Sequence, residues 1–173
     1  MKTKKAVILK SIALATAVIF SLTAYASSTP TAEIKTTVDA IVSAIKDKNL
    51  SLPSNREKRR GKIRSLIKEK FDFEEMAKRS LARHWNDRTP EERKEFVSIF
   101  SELLEASYIS KIESYTNEKI TYDKEEIKGE DKYGVVSTTI VTRNVNIPVE
   151  YKVMRKDNKW YVYDVVIEGV SFI

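Results

Sequence analysis

Hydrophobic positions along the first two-thirds of the chain recur with a helical period. Ile34 is followed by Val38, Ile41, Val42 and Ile45, at +4, +7, +8 and +11, which is one stripe of an amphipathic helix. Thr29-Pro30 supplies a cap and a proline at the first helical position. Leu50-Ser-Leu-Pro53 interrupts the pattern. Ser54-Asn-Arg-Glu57 then has the spacing of a capping box, and Ile63, Leu66, Ile67 and Phe71 form the next stripe. Asp72-Phe-Glu-Glu75 opens a third helix carrying Phe73, Met76, Ala77 and Trp85. Thr89-Pro-Glu-Glu92 is the strongest start signal, with threonine, proline and glutamate at the cap, first and third positions. The helix it opens runs to about Tyr115 with the stripe Phe96, Phe100, Leu103, Leu104, Tyr108 and Ile112.

Beyond Asn117 the period changes to two. Ile120, Tyr122 and the stretch 133–143 read as strands rich in Val, Thr and Ile. Ile147, Val149, Tyr151 and Val153 alternate with Pro148, Glu150, Lys152 and Met154, which predicts a half-buried strand. Asp157-Asn158 turns the chain into a last apolar segment, 160–173. Helices first and strands second is an α+β order, with N-terminal helices packed on a C-terminal antiparallel sheet. The simplest packing lays the sheet across the long helix.

The first 26 residues alter the charge balance. Lys2, Lys4, Lys5 and Lys10 precede the apolar run 11–22 and the small-x-small site Ala24-Tyr25-Ala26, the pattern of a cleaved secretory signal peptide. The 16 residues from Ser11 to Ala26 fall short of the ~20 a spanning helix needs. Cleavage near Ala26 leaves one domain, 27–173, expected to be soluble in an exported compartment. The chain has 31 Lys+Arg and 25 Asp+Glu; without the leader the basic count falls to 27, a net of +2, which removes the case for a nucleic-acid partner. One basic run remains, Arg56 to Arg64. It reads either as a solvated helix face or as a docking patch for an acidic partner or anionic lipid headgroups. The absence of cysteine leaves the core alone to hold the fold.

Catalytic chemistry is sparse. His84 is the single histidine, and beside Trp85 it reads as structural. No glycine pattern cradles phosphate, and no carboxylate cluster has metal-ligand spacing, so neither metal nor cofactor is expected. Asp164 and Glu168 share a strand face by parity and read as surface residues.

The ordered set Phe71-Asp-Phe-Glu-Glu-Met-Ala77, Leu81-Ala-Arg-His-Trp85, Thr89-Pro-Glu, Phe96…Phe100…Leu103-Leu…Tyr108, Ile147-Pro-Val-Glu-Tyr151 and Trp160-Tyr-Val-Tyr-Asp-Val165 with Glu168-Gly-Val-Ser171 resembles the MlaC family of periplasmic phospholipid-binding proteins. The resemblance spans Ala32 to Ile173. It implies a fold like that of nuclear transport factor 2, a curved sheet wrapped by helices with an apolar pocket between. It also implies a phospholipid shuttle between outer and inner membranes. Its implied partners are an inner-membrane ABC transporter with a mammalian-cell-entry-type domain and an outer-membrane lipoprotein–porin complex. Three departures stand out. Ala82 and Asn158 replace glycines usual in the family, and the family's C-terminal amphipathic helix does not follow Ser171-Phe-Ile173, so that either the sequence is a truncated form or this member leaves that face open. A bare apolar face along 160–173 is therefore expected.

A lipid carrier needs a pocket rather than a nucleophile. Burying acyl chains stabilises by ~0.8 kcal/mol per methylene, so about 30 methylenes cost ~24 kcal/mol to expose. Combining the idea of a pocket with stripe and parity selects Phe100, Leu104, Tyr108 and Ile112 on the long helix as its wall. Val149, Tyr151 and Val153 face them from the sheet, with Trp160 and Val162 behind. Two other classes stay open: an exported docking module of a transporter with a filled core, and a small exported enzyme using His84.

Overall fold

Three of the four α-helices begin where a polar side chain takes up free backbone amides. In the computed structural model, which describes residues 28–173, α1 (Pro30–Lys46) starts on Thr29, whose hydroxyl accepts from the Ala32 amide. The leader expected over residues 1–26 lies outside the described residues. Asp47 ends α1 by accepting from the amides of Asn49 and Leu50. Ser54 does not cap the second helix. It sits inside a single 3₁₀ turn, Pro53–Asn55, and α2 (Arg56–Lys70) starts on Asn55 without a side-chain bond. The Asn55 side-chain amide reaches back to the Asn49 carbonyl instead, at 2.8 Å. α3 (Phe73–Leu81) is capped by Asp72, and α4 (Pro90–Glu113) by the full Thr89–Glu92 capping box.

α3 ends earlier than its stripe predicts, because Ala82 turns the backbone to φ 48, ψ −124. Trp85 therefore lies in a 3₁₀ turn, Ala82–Trp85, and is buried there rather than on the helix. A Cβ is strained in this conformation and glycine is not. Replacing Ala82→Gly should relieve more strain than it adds in unfolded-chain entropy, a net gain of about 1 kcal/mol. Thermal unfolding should then move up by ~2–4 °C. A lower midpoint would contradict the strain argument.

The strands β1 (Lys119–Lys128), β2 (Tyr133–Val141), β3 (Asn146–Lys156), β4 (Lys159–Ile167) and β5 (Val170–Ser171) form an antiparallel meander in sequence order. Asp157 and Asn158 make the two-residue β3–β4 turn with φ 48 and 61, a conformation that Asn tolerates. Register shifts at Tyr122/Lys124 in β1 and opposite Lys152/Val153 in β4 bend the sheet. The second leaves Tyr163 as an extra residue. Parity inverts across it: Trp160 and Val162 face inward before the bulge, Val165 and Ile167 after it.

Asp164 lands on the opposite side, yet it is fully buried and not a surface residue. Its carboxylate accepts from Lys152 Nζ at 2.8 Å, from the Ser171 hydroxyl at 2.9 Å and from the Phe172 amide at 3.2 Å. The chain's last residues are thereby tied to the sheet. Trp160, Val162 and Val165 are buried, so the bare face expected along 160–173 does not form; Val170 is its one strongly exposed apolar side chain.

The helix that lies on the sheet is α1, not α4. Ile34 and Val38 pack against Val136, Val149, Val153 and Trp160. Pro30 stands over Gly134, where a Cβ would come within 3.3 Å of Pro30 Cγ and 3.1 Å of Val153 Cγ2. The α2–α3 junction docks on the free edge of β4, with the Asp72 amide bonded to the Val162 carbonyl at 2.8 Å. α4 packs through Ile109 and Ile112 on Ala44 and Ile63, and reaches the sheet through Tyr108, stacked on Phe172 at 4.3 Å. Leu103 is 61% exposed and points away from this packing; Ile109 takes the buried place expected for it.

Candidate functional site: an apolar cavity under the long helix

The gap between α4 and the sheet is a cavity of about 600 Å³, within the 300–1,000 Å³ typical of small-ligand sites. α1 and α2 close its sides. Lining residues on α4 run from Ser101 to Ile112, about 17 Å at ~1.5 Å per residue. The walls are almost entirely hydrocarbon: Val38, Ile41, Val42 and Ile45 from α1, Ile67 from α2, and Ile120, Ile140, Ile147, Val165 and Ile167 from the sheet. Charge is confined to the ends, with Arg64, Lys68, Lys70 and Glu105 at one and Lys111 and Glu118 at the other. Beside the first end lies a shallower depression that shares Lys68, Phe71, Phe73 and Ser101 and continues to Lys94 and Lys156.

Five of the nine residues selected from stripe and parity stand on this wall: Leu104, Tyr108, Ile112, Val149 and Tyr151. Four do not. Phe100 stacks on Phe96 at 5.8 Å, off the lining face of α4. Val153, Trp160 and Val162 have the expected inward parity, but they lie where α1 and Phe71 fill the space with protein. Trp160 is locked there by its indole N–H donating to the Ser28 carbonyl and its amide to Glu33. The α1 stripe and Phe172 were missed as lining. The α1 stripe is visible in the sequence, but nothing local distinguishes a stripe facing a cavity from one facing a core.

The basic run on α2 has a structural use that neither sequence reading contained. Arg59 and Arg60 each reach one oxygen of Glu113 on α4 at 2.9 Å, Arg56 approaches it at 3.7 Å, and Arg64 is paired with Glu105. These pairs bind α2 to α4 along the cavity's side. Burial opposes the charge on Glu113, but hydrogen bonds from Arg60 and Arg59 outweigh it and hold the carboxyl below its ordinary range. The hydrogen bond from Arg64 lowers Glu105 in the same direction.

Two phenols stand out in this apolar setting. Tyr151 lines the cavity, and burial pushes its pKa up to about 12. Tyr122 lies to one side, its hydroxyl buried without a hydrogen-bond partner and its pKa raised far above the ordinary range by burial. His84 is elsewhere, exposed in its turn and 3.8 Å from Asp87. Among the described residues no group of acids and histidine is arranged to hold a metal, and no helix is long and apolar enough to cross a membrane.

A curved antiparallel meander roofed by helices over a hydrocarbon-lined cavity defines a protein built to enclose an apolar ligand. The chain belongs to the MlaC protein family, whose pattern matches residues 35–173. It is 26% identical to the intermembrane phospholipid transport system binding protein MlaC of Haemophilus influenzae, over 91% of this chain and 76% of that one. It also resembles the solved structure of a phospholipid-binding protein from Ralstonia solanacearum in complex with a phospholipid. That likeness has a TM-score of 0.72 at 25% identity, covering 83% of this chain and 80% of that one.

Proposed function

We propose that this protein is a soluble periplasmic carrier that holds a phospholipid by its acyl chains and shuttles it between the outer and inner membranes. The observation that carries the reading is the cavity itself: about 600 Å³ of nearly unbroken hydrocarbon wall with charge only at its ends. Acyl chains transferred from a bilayer into such a wall keep an apolar environment and avoid the ~0.8 kcal/mol per methylene lost in water. The charged ends match a zwitterionic or anionic headgroup left outside. Family membership, the name of the Haemophilus relative and the ligand of the Ralstonia structure support the same reading.

The partners implied by that role are an inner-membrane ABC transporter with a mammalian-cell-entry-type domain and an outer-membrane lipoprotein–porin complex. Export would be directed by the leader, cleaved near Ala26. Carriage requires no covalent step, and His84 is not among the lining residues. A docking module with a filled core is disfavoured by the open volume.

Solvent extraction of protein purified from a Gram-negative host, followed by mass spectrometry, should release about one phospholipid per chain. Delipidated protein should reload from phospholipid vesicles. A clean extract together with no uptake would overturn the carrier reading.

A further inference from the structure

Tyr151 stands among hydrocarbon on the sheet side of the cavity, beside Ile140, Ile147, Val149, Val165 and Ile167. It sits mid-strand on β3, on the inner face. Its cross-strand neighbours are Val136 and Val165, and its same-face neighbours along the strand are Val149 and Val153. All four are buried. Its hydroxyl makes no hydrogen bond to any described residue, in contrast to Tyr115, whose hydroxyl donates to the Glu118 carbonyl at 2.7 Å. Unlike the Tyr122 hydroxyl, it is not walled off by protein, and its residue forms part of the cavity surface.

With acyl chains filling the cavity, a phenol without a protein partner is left unsatisfied, and phenylalanine would fill the same space without that cost. Acyl chains filling the cavity displace water from this wall, so no solvent partner remains for the hydroxyl in the loaded protein. The remaining source of an acceptor is the ligand.

We propose that the Tyr151 hydroxyl donates a hydrogen bond to an acceptor oxygen on the enclosed part of the lipid, so that the cavity selects its cargo by polarity as well as by hydrocarbon length. This inference rests on the carrier reading. The acceptor is a carbonyl or hydroxyl oxygen within reach of β3. Two parts of a phospholipid can provide it: the ester carbonyl that joins an acyl chain to glycerol, or an oxygen borne on the chain itself. A dialkyl ether lipid offers no carbonyl, and an unsubstituted chain offers no oxygen, so the two sources separate cleanly.

The test uses delipidated full-length mature protein, as wild type, Tyr151→Phe and Tyr122→Phe. Each is loaded from vesicles containing equal amounts of diester phospholipid, its diether analogue and a diester with a mid-chain hydroxyl, and the bound lipids are extracted and counted. Wild type should favour both diesters over the diether, or the hydroxylated diester over the plain one, by roughly five- to tenfold, the worth of one neutral hydrogen bond. Preference for diester over diether assigns the ester carbonyl; preference for the hydroxylated chain assigns a chain oxygen. In either case Tyr151→Phe should bring the ratio to about one by losing uptake of the favoured lipid, and Tyr122→Phe should leave the ratio as in wild type. Equal uptake of all three lipids by wild type overturns the proposal. So does a preference that survives Tyr151→Phe or is lost equally in Tyr122→Phe. If no protein takes up any lipid, the carrier reading itself fails and this inference goes with it.

Discussion

Leu104→Glu should give a folded protein that carries no phospholipid. Leu104 lines the cavity from α4, is half-buried, and belongs to neither of the two packed clusters. Leucine and glutamate have similar helix propensities, so α4 should persist and the unfolding midpoint should stay within a few degrees. In the empty cavity the new carboxylate can be hydrated. With acyl chains present it would be stripped of water without a partner, a penalty of several kcal/mol. Loading should fall by more than about a hundredfold, since each 1.4 kcal/mol is tenfold. Leu103→Glu is the matched control: it is the preceding residue of the same helix, it is exposed, and it should load fully. Equal lipid content in the two variants would mean that the cavity is not where lipid is held.

Removing the carboxylate of Glu113 should cost the most stability of any single surface-derived charge. Its side chain is only 8% exposed and sits between Arg59 and Arg60, themselves largely covered. Glu113→Ala strands those guanidiniums in partly desolvated positions and loosens α4 from α2. A loss of about 3 kcal/mol is expected, read as a drop of ~6–12 °C in midpoint near neutral pH. The pH dependence comes from the depressed carboxyl. Glu113 binds its proton more weakly folded than unfolded, so its contribution is complete above its ordinary value of 4.5 and is lost as pH falls through the lower folded value. The gap between wild type and Glu113→Ala should therefore be constant from pH 7 to about 5.5 and narrow on acidification below ~4.5. A gap under 1 kcal/mol at neutral pH, or one that widens in acid, would reject the role assigned to Glu113.

Local signals were legible and long-range ones were not. Thr29, Asp72 and Thr89 announce their helices because a cap acts within three residues. Ser54 misled because Pro53 starts a 3₁₀ turn at the same place. Alternation identified β3 and the inward side of Val149 and Tyr151, but Asp164 was read as a surface residue because it is an acid on an end strand, and nothing local shows the bulge and the Lys152–Ser171–Phe172 cover that bury it. Arg59 and Arg64 of α2 looked unpaired because their partners on α4 lie 54 and 41 residues further along the chain. The cavity was half-legible for the same reason. Stripe and parity say which side of an element faces inward. They do not say how far apart two inward faces are held, and here that spacing depends on α1 and Phe71 filling one end while α4 stands off the other.

The meander has a consequence for the entropy of assembly. Lys156 and Lys159 pair across a turn of two residues, and every neighbouring strand is likewise the next in sequence, so the floor of the cavity forms by closing short loops. Seating α1 is different in kind. Its contacts join Thr31 to Glu125 over 94 residues and Ser28 to Trp160 over 132. Closing a loop of that length costs about 3 kcal/mol more than closing one of a few residues. That cost falls on a small set of side chains, chiefly Pro30 over Gly134, Ile34 in the valine cluster, and Trp160 under the first turn of α1. The docking of one N-terminal helix is thus where chain entropy is concentrated, and that same helix supplies a wall of the cavity.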